Sequence, residues 1–380
     1  MNKLEYTLSN IFLHFFYYLF YLIPVNNRKI TFSTPRNTKP DGNIKYIYRA
    51  LRDKRDDLKF VFLFDKYDYS LKGKILYLLR LVKGVYHLAT SRVFIVDNAY
   101  FPVHVIKHKK RTVVIQVWHA AGAMKKFGND VEIEEEAVED KFRHKNYDYC
   151  IMGSDFSKKH YATAFGMDEE KVLVLGSART DLFFKEDVLN RVRNEFYEKY
   201  PDLKSKKIIL YAPTFRGRGN EKDTKLHLNV EKMKKELEGL GYVFLYKPHL
   251  NAKSEDNKDD DFIKYLDKED VLNKVMPVCD IFITDYSSAV IEYSILKKPL
   301  ILYVYDLEEY IDSPGFYQDF KTEMIGEQVK KTDDVIKIIK ENDFDLSGYD
   351  KFINTHYKYL DGNSSDRIAD YIIKNFIDKK

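Results

Sequence analysis

Four short stretches of this chain combine side chains that handle protons and phosphates with residues that let a backbone come close. The first is Gln116–Gly128, QVWHAAGAMKKFG. Trp118 and His119 close an apolar run, and Ala120, Ala121 and Gly122 follow without bulk. An imidazole with an unperturbed pKa of about 6.5 suits proton removal at neutral pH, so His119 reads as a general base. Lys125, beside Lys126, brings positive charge for a phosphorylated ligand, and Met124 is placed to begin a helix. The second stretch is LYAPTFRGRG, Leu210–Gly219. The Thr214 hydroxyl, the Arg216 guanidinium and nearby backbone N–H groups make an anion pocket, with Arg218 and the glycines as a lid. The third is YKPHL, Tyr246–Leu250. Lys247 and His249 stand where a leaving phosphate could be met, on a loop stiffened by Pro248.

The fourth stretch is the most informative. An apolar run, Ile281–Thr284, leads to Asp285, Tyr286, Ser287 and Ser288, then to an expected helix over Ala289–Leu296. Serine hydroxyls, unpaired N–H groups and the positive dipole end form a phosphate site. Glu292, one turn in, is placed to accept from ribose hydroxyls. Asp285 reads as a site residue or a helix N-cap. The structural alternatives are a hydrogen-bonded His119, solvated arginines and an ordinary loop histidine at 249. Chemistry is favoured because two histidines fall at strand ends in different halves of the chain.

The elements that carry these stretches follow a regular rhythm. Apolar runs recur at Val61–Phe64, Val93–Val96, Val113–Val117, Tyr149–Met152, Val172–Leu175, Ile208–Tyr211, Val243–Tyr246, Ile281–Thr284 and Leu300–Tyr303. Amphipathic stretches separate most of them, among them Phe156–Phe165 (with Ser154 as N-cap) and Val188–Tyr200. That alternation predicts βαβ units and parallel sheets, an α/β protein. The 380 residues suggest two or three domains at roughly 150 residues each. The strand-free stretch Asp181–Lys207 places the boundary, giving domains 1–185 and 186–380, with the helical Asp366–Asp378 able to pack back on the first. Two such domains imply a cleft, with ligands beyond the carboxyl ends of the strands.

Composition narrows the function classes. At 44% hydrophobic and 32% charged residues the chain is neither disordered nor fibrous. A net charge of +4 is too mild to predict nucleic-acid binding. The two cysteines, Cys150 and Cys279, give neither a disulfide framework nor metal-ligand spacing, so a reducing cytosolic setting is expected. No acidic pair marks a metal site. Near the N-terminus, Ile11–Ile23 reads IFLHFFYYLFYLI. It falls short of the roughly 20 residues of a spanning helix, and its tyrosines suit an interface. A core helix, an interfacial helix and a span are the three readings, while Glu5 and the lack of a cleavage site argue against a signal peptide. Leu71–Leu88 is a basic amphipathic stretch, either packed on a sheet or lying on a membrane.

The order and spacing of WHAAGAMKKFG, YAPTFRG, KPH and ITDYSSAVIEYSILKKPLILYVYDLEEY resemble the CDP-glycerol glycerophosphotransferase family of teichoic acid synthesis. VDNAYF (Val96–Phe101), LGSARTDLFF (Leu175–Phe184) and YLDGNSS (Tyr359–Ser365) extend the likeness from about Val93 to the C-terminus. The total length is most similar to the TagB/TarB primase branch. The resemblance implies a GT-B fold, two Rossmann-like domains facing across a cleft, on the cytoplasmic face of the membrane. It implies that His119 and His249 are catalytic. It also implies that Trp118, Gly122, Lys125, Thr214, Arg216, Lys247, Asp285, Ser287, Ser288 and Glu292 bind substrate. The chain departs from the family pattern in the Ala-Ala-Gly turn after His119 and in Ser177–Asp181, which puts the acceptor in question more than the chemistry.

The implied reaction moves glycerol phosphate from CDP-glycerol to an undecaprenyl-diphosphate-linked N-acetylmannosaminyl-N-acetylglucosamine disaccharide, releasing CMP in the priming step. His119 would deprotonate the acceptor, while His249, Arg216 and the Ser287–Ser288 helix end stabilise the phosphates. No tightly bound cofactor or metal is expected, although Mg2+ could stimulate. Other teichoic acid enzymes are expected partners, and nucleic acid is not. The alternatives are a poly(glycerol phosphate) or ribitol phosphate transferase, a GT-B glycosyltransferase using a nucleotide sugar, and a non-catalytic membrane-surface module.

Overall fold

A computed structural model describes residues 3–35, 38–64, 71–131, 144–214, 226–248, 259–267 and 269–379. The chain divides into two compact units, Met1–Asp181 with Thr355–Lys380, and Leu182–Asn354.

The first unit holds β1 (Asn26–Thr34), β2 (Lys59–Phe64), β3 (Ser91–Val96), β4 (Val113–Gln116), β5 (Tyr149–Met152) and β6 (Val172–Val174). They form one six-stranded parallel sheet in the order β2-β1-β3-β4-β5-β6. Ile30 pairs with Val93 and Phe32 with Ile95, and all four are fully buried. Ile44, Ile47 and Leu51 of the Gly42–Lys54 helix cover one face of the sheet, joined by Ile368 and Ile372 of the Ser364–Ile372 helix. Buried parallel strands read as continuous apolar runs, which is why β3, β4 and β5 are visible in the sequence. The central strand β1 is not. It begins Asn-Asn-Arg-Lys and buries Thr31 and Ser33, Thr31 by sharing a hydrogen bond of 2.8 Å with Ser91.

The second unit holds β7 (Lys207–Tyr211), β8 (Tyr242–Tyr246), β9 (Ile263–Tyr265), β10 (Ile281–Thr284), β11 (Leu300–Tyr303) and β12 (Glu327–Val329). They form a six-stranded sheet in the order β12-β11-β10-β7-β8-β9, parallel throughout. Its core gathers Ile209, Phe244, Ile283 and Ile301 under Met233, Leu237, Val335 and Ile339. In each sheet the strand order reverses once beside its first strand, between β1 and β3 and between β7 and β10. Open α/β sheets leave a crevice at that reversal, beyond the carboxyl ends of the strands.

The chain leaves the first unit after Asp181, close to the expected boundary, and from Thr355 onward it belongs to the first unit again, the expected Asp366–Asp378 segment included. Asp181 accounts for this return. Its carboxylate accepts the Ser364 and Ser365 N–H groups at 2.9 and 2.7 Å and the Ser365 hydroxyl at 2.5 Å, pinning the start of the Ser364–Ile372 helix. No helix begins at Met124. A short turn of 3-10 helix, Gly128–Asp130, stands there instead. Gly128 has a φ of 60° and lies so close to the Ala164 carbonyl that a β-carbon would overlap it.

The N-terminal helix runs Lys3–Tyr21 and packs on the Leu71–Thr90 helix. Tyr6, Leu13 and Tyr17 are buried on the first, and Leu81, Val85 and Leu88 on the second. Leu4, Leu8, Ile11 and Phe15 recur at helical spacing on the opposite side, with Phe15 65% exposed, and Leu22 just past the helix is exposed too. Leu76 and Leu79 extend the exposed apolar surface on the second helix. No described helix is long and apolar enough to cross a membrane.

Candidate functional site

In the first unit His119 follows β4, one strand beyond the reversal between β1 and β3. The β4 ladder ends with the Val117 N–H donating to the Val96 carbonyl at 2.8 Å. The next residue, Trp118, turns left-handed with a φ of 46°, a conformation costly for a bulky side chain. Gln116 accepts the Trp118 N–H at 2.9 Å and donates to the Asn98 carbonyl at 3.2 Å. The half-buried His119 then approaches the carbonyl of Asp97, just beyond β3, with Nδ1 at 3.2 Å. A carbonyl only accepts, so this bond puts the proton on Nδ1 and makes Nε2 the basic nitrogen. The Trp118 ring lies 4.2 Å from the His119 ring and stacks at 5.0 Å on Phe127, so it packs behind the imidazole. The Gly122 carbonyl accepts the Tyr161 hydroxyl at 3.2 Å, and the Ala123 N–H donates to Ser157 at the same distance. Those bonds fix the turn on which Lys125 sits, half-buried.

Sequence reasoning missed three participants here. Asp97 acts through its backbone, for which no side-chain signal exists. Asn43 and Arg179 come from distant segments. The Arg179 guanidinium donates to the His119 carbonyl at 2.6 Å, and the Arg179 N–H donates to the Asn43 side chain at 3.0 Å. The departure at Ser177–Asp181 pointed to this segment, but nothing in the sequence linked it to His119.

The reversal in the second unit carries Thr214 and Asp285. Asp285 is buried just past β10, and its carboxylate accepts the Thr214 N–H at 2.9 and 3.1 Å as well as the Thr214 hydroxyl. Asp285 is therefore not a helix N-cap: it ties the β7 loop to the β10 loop. Lys247 is buried after β8, and its ammonium donates to the Asp267 carbonyl. Burial lowers its pKa from the usual lysine range. The lysine is anchored to the segment after β9, and meeting a phosphate would require exchanging that bond. Beyond Asp285 the helix is a single turn, Ala289–Tyr293, followed by 3-10 helix over Ser294–Leu296. Ser287 accepts the Ala289 N–H at 3.3 Å, while Ser288 makes no side-chain cap bond; both are half-buried. Glu292 is 4% exposed and accepts from Asn273 at 3.0 Å, a partner the sequence did not suggest. Arg216, Arg218 and His249 lie outside the described residues.

Comparisons with known proteins place the chain in a family. The family model described as CDP-glycerol:poly(glycerophosphate) glycerophosphotransferase matches residues 15–374. The chain belongs to this glycerophosphotransferase family. Both sites lie within the matched span. The chain is 36% identical over 359 residues to a teichoic acid ribitol-phosphate primase of Bacillus spizizenii, covering 92% of each protein. It is 32% identical over 307 residues to a teichoic acid glycerol-phosphate primase of Bacillus subtilis, covering 77% of this chain and 76% of that one. Among solved structures, a variant of the wall teichoic acid polymerase TagF soaked with CDPG superimposes with a TM-score of 0.76 at 22% identity. That match covers 98% of this chain and 97% of the other. The fold of this family member is thus GT-B, with two Rossmann-like units. It acts in teichoic acid synthesis, in a family that transfers glycerol or ribitol phosphate.

Proposed function

We propose that the protein primes a teichoic acid chain, moving one polyol phosphate from a CDP-polyol to a hydroxyl of a lipid-linked acceptor. His119 Nε2 takes the acceptor hydroxyl proton as that oxygen attacks the β-phosphorus of the donor. The bond from that phosphorus to the bridging oxygen breaks, and CMP leaves with the electron pair. The observation that carries this reading is the Asp97 carbonyl on His119 Nδ1, which presents a basic nitrogen at the carboxyl ends of β3 and β4. The Ser287 and Ser288 hydroxyls supply donors for the phosphates, on a turn that Asp285 ties to the Thr214 loop. No tightly bound metal is part of the proposal, and Mg2+ could stimulate.

Ribitol phosphate is the first choice of cargo, because identity to the ribitol-phosphate primase extends over 92% of the chain. Glycerol phosphate, read from the sequence motifs, is the second choice, supported by the family description and the glycerol-phosphate primase match. The acceptor is the undecaprenyl-diphosphate-linked disaccharide, bare or already carrying a glycerol phosphate. Purified protein should be given each CDP-polyol with both acceptors, and the products weighed by mass spectrometry. Addition of one polyol phosphate with acceptor-dependent CMP release supports the reading. Long products would make the protein a polymerase. CMP release from neither donor, with transfer from a nucleotide sugar, would replace it with a glycosyltransferase.

Peripheral attachment to the cytoplasmic face of the membrane is part of the same proposal. The exposed row from Leu4 to Phe15, with Leu22, Leu76 and Leu79, supports it.

A further inference from the structure

We infer that Asn43 is a positioning residue for His119, holding the turn after β4 in the shape that brings the imidazole to the Asp97 carbonyl. The inference rests on His119 acting as the base. Asn43 is the second residue of the Gly42–Lys54 helix and is 5% exposed. Asparagine near a helix start usually serves as its cap. Here Asp41 occupies the cap position without a side-chain bond, and the Asn43 carboxamide is turned away from the helix. Its Nδ2 donates to the carbonyls of Val117 at 2.8 Å and Trp118 at 3.1 Å. Its Oδ1 accepts the Arg179 N–H at 3.0 Å and the Ser177 hydroxyl at 3.4 Å. Both amide hydrogens and the oxygen are therefore used.

The effect is concentrated on one tripeptide. Asn43 holds the carbonyls of Val117 and Trp118, and Arg179, itself held by Asn43, donates to the carbonyl of His119 at 2.6 Å. The middle residue, Trp118, is the one in the left-handed region at a φ of 46°. A strained backbone at a site persists only where its surroundings over-determine it. Asn43 supplies that constraint from the carbonyl side, and Gln116 supplies it from the Trp118 N–H. Without Asn43 the tripeptide relaxes toward extended backbone. His119 Nδ1 then leaves the Asp97 carbonyl.

Asn43→Asp tests this with minimal change of size. It keeps acceptor oxygens for Arg179 and Ser177 but sets a carboxylate against two carbonyls. Asn43→Ala and Arg179→Lys are the companion variants, the latter leaving the Arg179 backbone bond to Asn43 in place. We expect kcat for polyol-phosphate transfer to fall about ten- to a hundred-fold in Asn43→Asp, with donor KM within about two-fold of wild type. Arg179→Lys should fall in the same direction by less. Nitrogen-15 spectra of histidine-labelled protein, with His119 assigned by His119→Gln, read the tautomer without activity. Wild type should show the proton on Nδ1, and the Asn43 variants should show it moving to Nε2. A folded Asn43→Asp protein with kcat within about two-fold of wild type would overturn the inference. So would a folded variant whose His119 keeps the Nδ1 proton. A wild-type protein that releases no CMP from any CDP-polyol fails the functional reading instead, and the tautomer measurement still judges Asn43.

Discussion

At the scale of single residues, the account separates groups that do chemistry from groups that hold them. His119→Ala should leave the fold intact and lower transfer by roughly 10²- to 10⁴-fold, the usual worth of a positioned general base. Circular dichroism and CMP release check the two halves of that statement. Asp285→Ala should behave differently. It removes the acceptor of both the N–H and the hydroxyl of Thr214. Leaving such groups unpaired in a part-buried site costs about 1–3 kcal/mol. Donor KM should rise and melting temperature should fall together, which steady-state kinetics and thermal denaturation would show. The candidate side chains His119, Thr214, Asp285 and Ser287 stand out in the sequence because all follow apolar runs ending in small or polar residues. The Asp97 carbonyl was not, since a backbone group leaves no trace in residue type. Asn43 was not, because a lone asparagine at a helix start reads as a cap until its partners are seen.

At the scale of elements, the second of the two N-terminal helices meets β1 at a buried lysine. Lys29 is 8% exposed, with its ammonium 2.5 Å from the Thr90 hydroxyl, 3.3 Å from His87 Nδ1 and 5.0 Å from the centre of the Tyr86 ring. No carboxylate pairs with it among the described residues. Burial pushes its pKa from 10.5 down to about 8, and burial with the Lys29 charge pushes His87 down to about 4. Between about pH 8 and 10.5 the unfolded chain holds a proton on Lys29 that the folded chain has released. Raising the pH through that window therefore favours the fold, by up to roughly 3 kcal/mol. Lys29→Met should raise the melting temperature at pH 7 and flatten that pH dependence relative to wild type. The Thr90 hydroxyl keeps its own bond to the Tyr86 carbonyl at 2.6 Å, so the change strands no donor there. On the outer side of the same helices, Leu8→Glu with Phe15→Glu should weaken binding to anionic lipid vesicles in a flotation assay. Turnover of a water-soluble acceptor analogue should stay unchanged. Strand legibility follows apolar sequence: the runs at β2–β8, β10 and β11 read as strands, even the three-residue edge strand β6, Val-Leu-Val. The edge strands β9, Ile-Lys-Tyr, and β12, Glu-Gln-Val, are equally short but broken by polar residues. The polar start of β1 hides a nine-residue central strand.

At the scale of the whole molecule, the first unit is built from two separated parts of the chain. Ile368, Ala369, Ile372, Phe376 and Ile377 of the C-terminal segment are buried in the same core as Ile30, Phe32 and Val93. Each large apolar side chain is worth about 1.5–3 kcal/mol when buried, and a domain's net stability is only about 5–15 kcal/mol. A chain ending at Asn354 should therefore lose the first unit's protection in limited proteolysis, although β1–β6 are all present. The parallel architecture was readable from the alternation of strands and helices. The position of the final helix was readable only as a possibility, because the tie that fixes it is between Asp181 and the N–H groups of Ser364 and Ser365. The central claim, however, concerns one imidazole. It is tested most directly by acceptor-dependent CMP release from CDP-ribitol and CDP-glycerol, measured side by side for the wild-type protein and His119→Ala. The account predicts release by wild type, with one polyol phosphate added, and a loss of at least about a hundred-fold in the variant. A folded His119→Ala protein that transfers at the wild-type rate would contradict it.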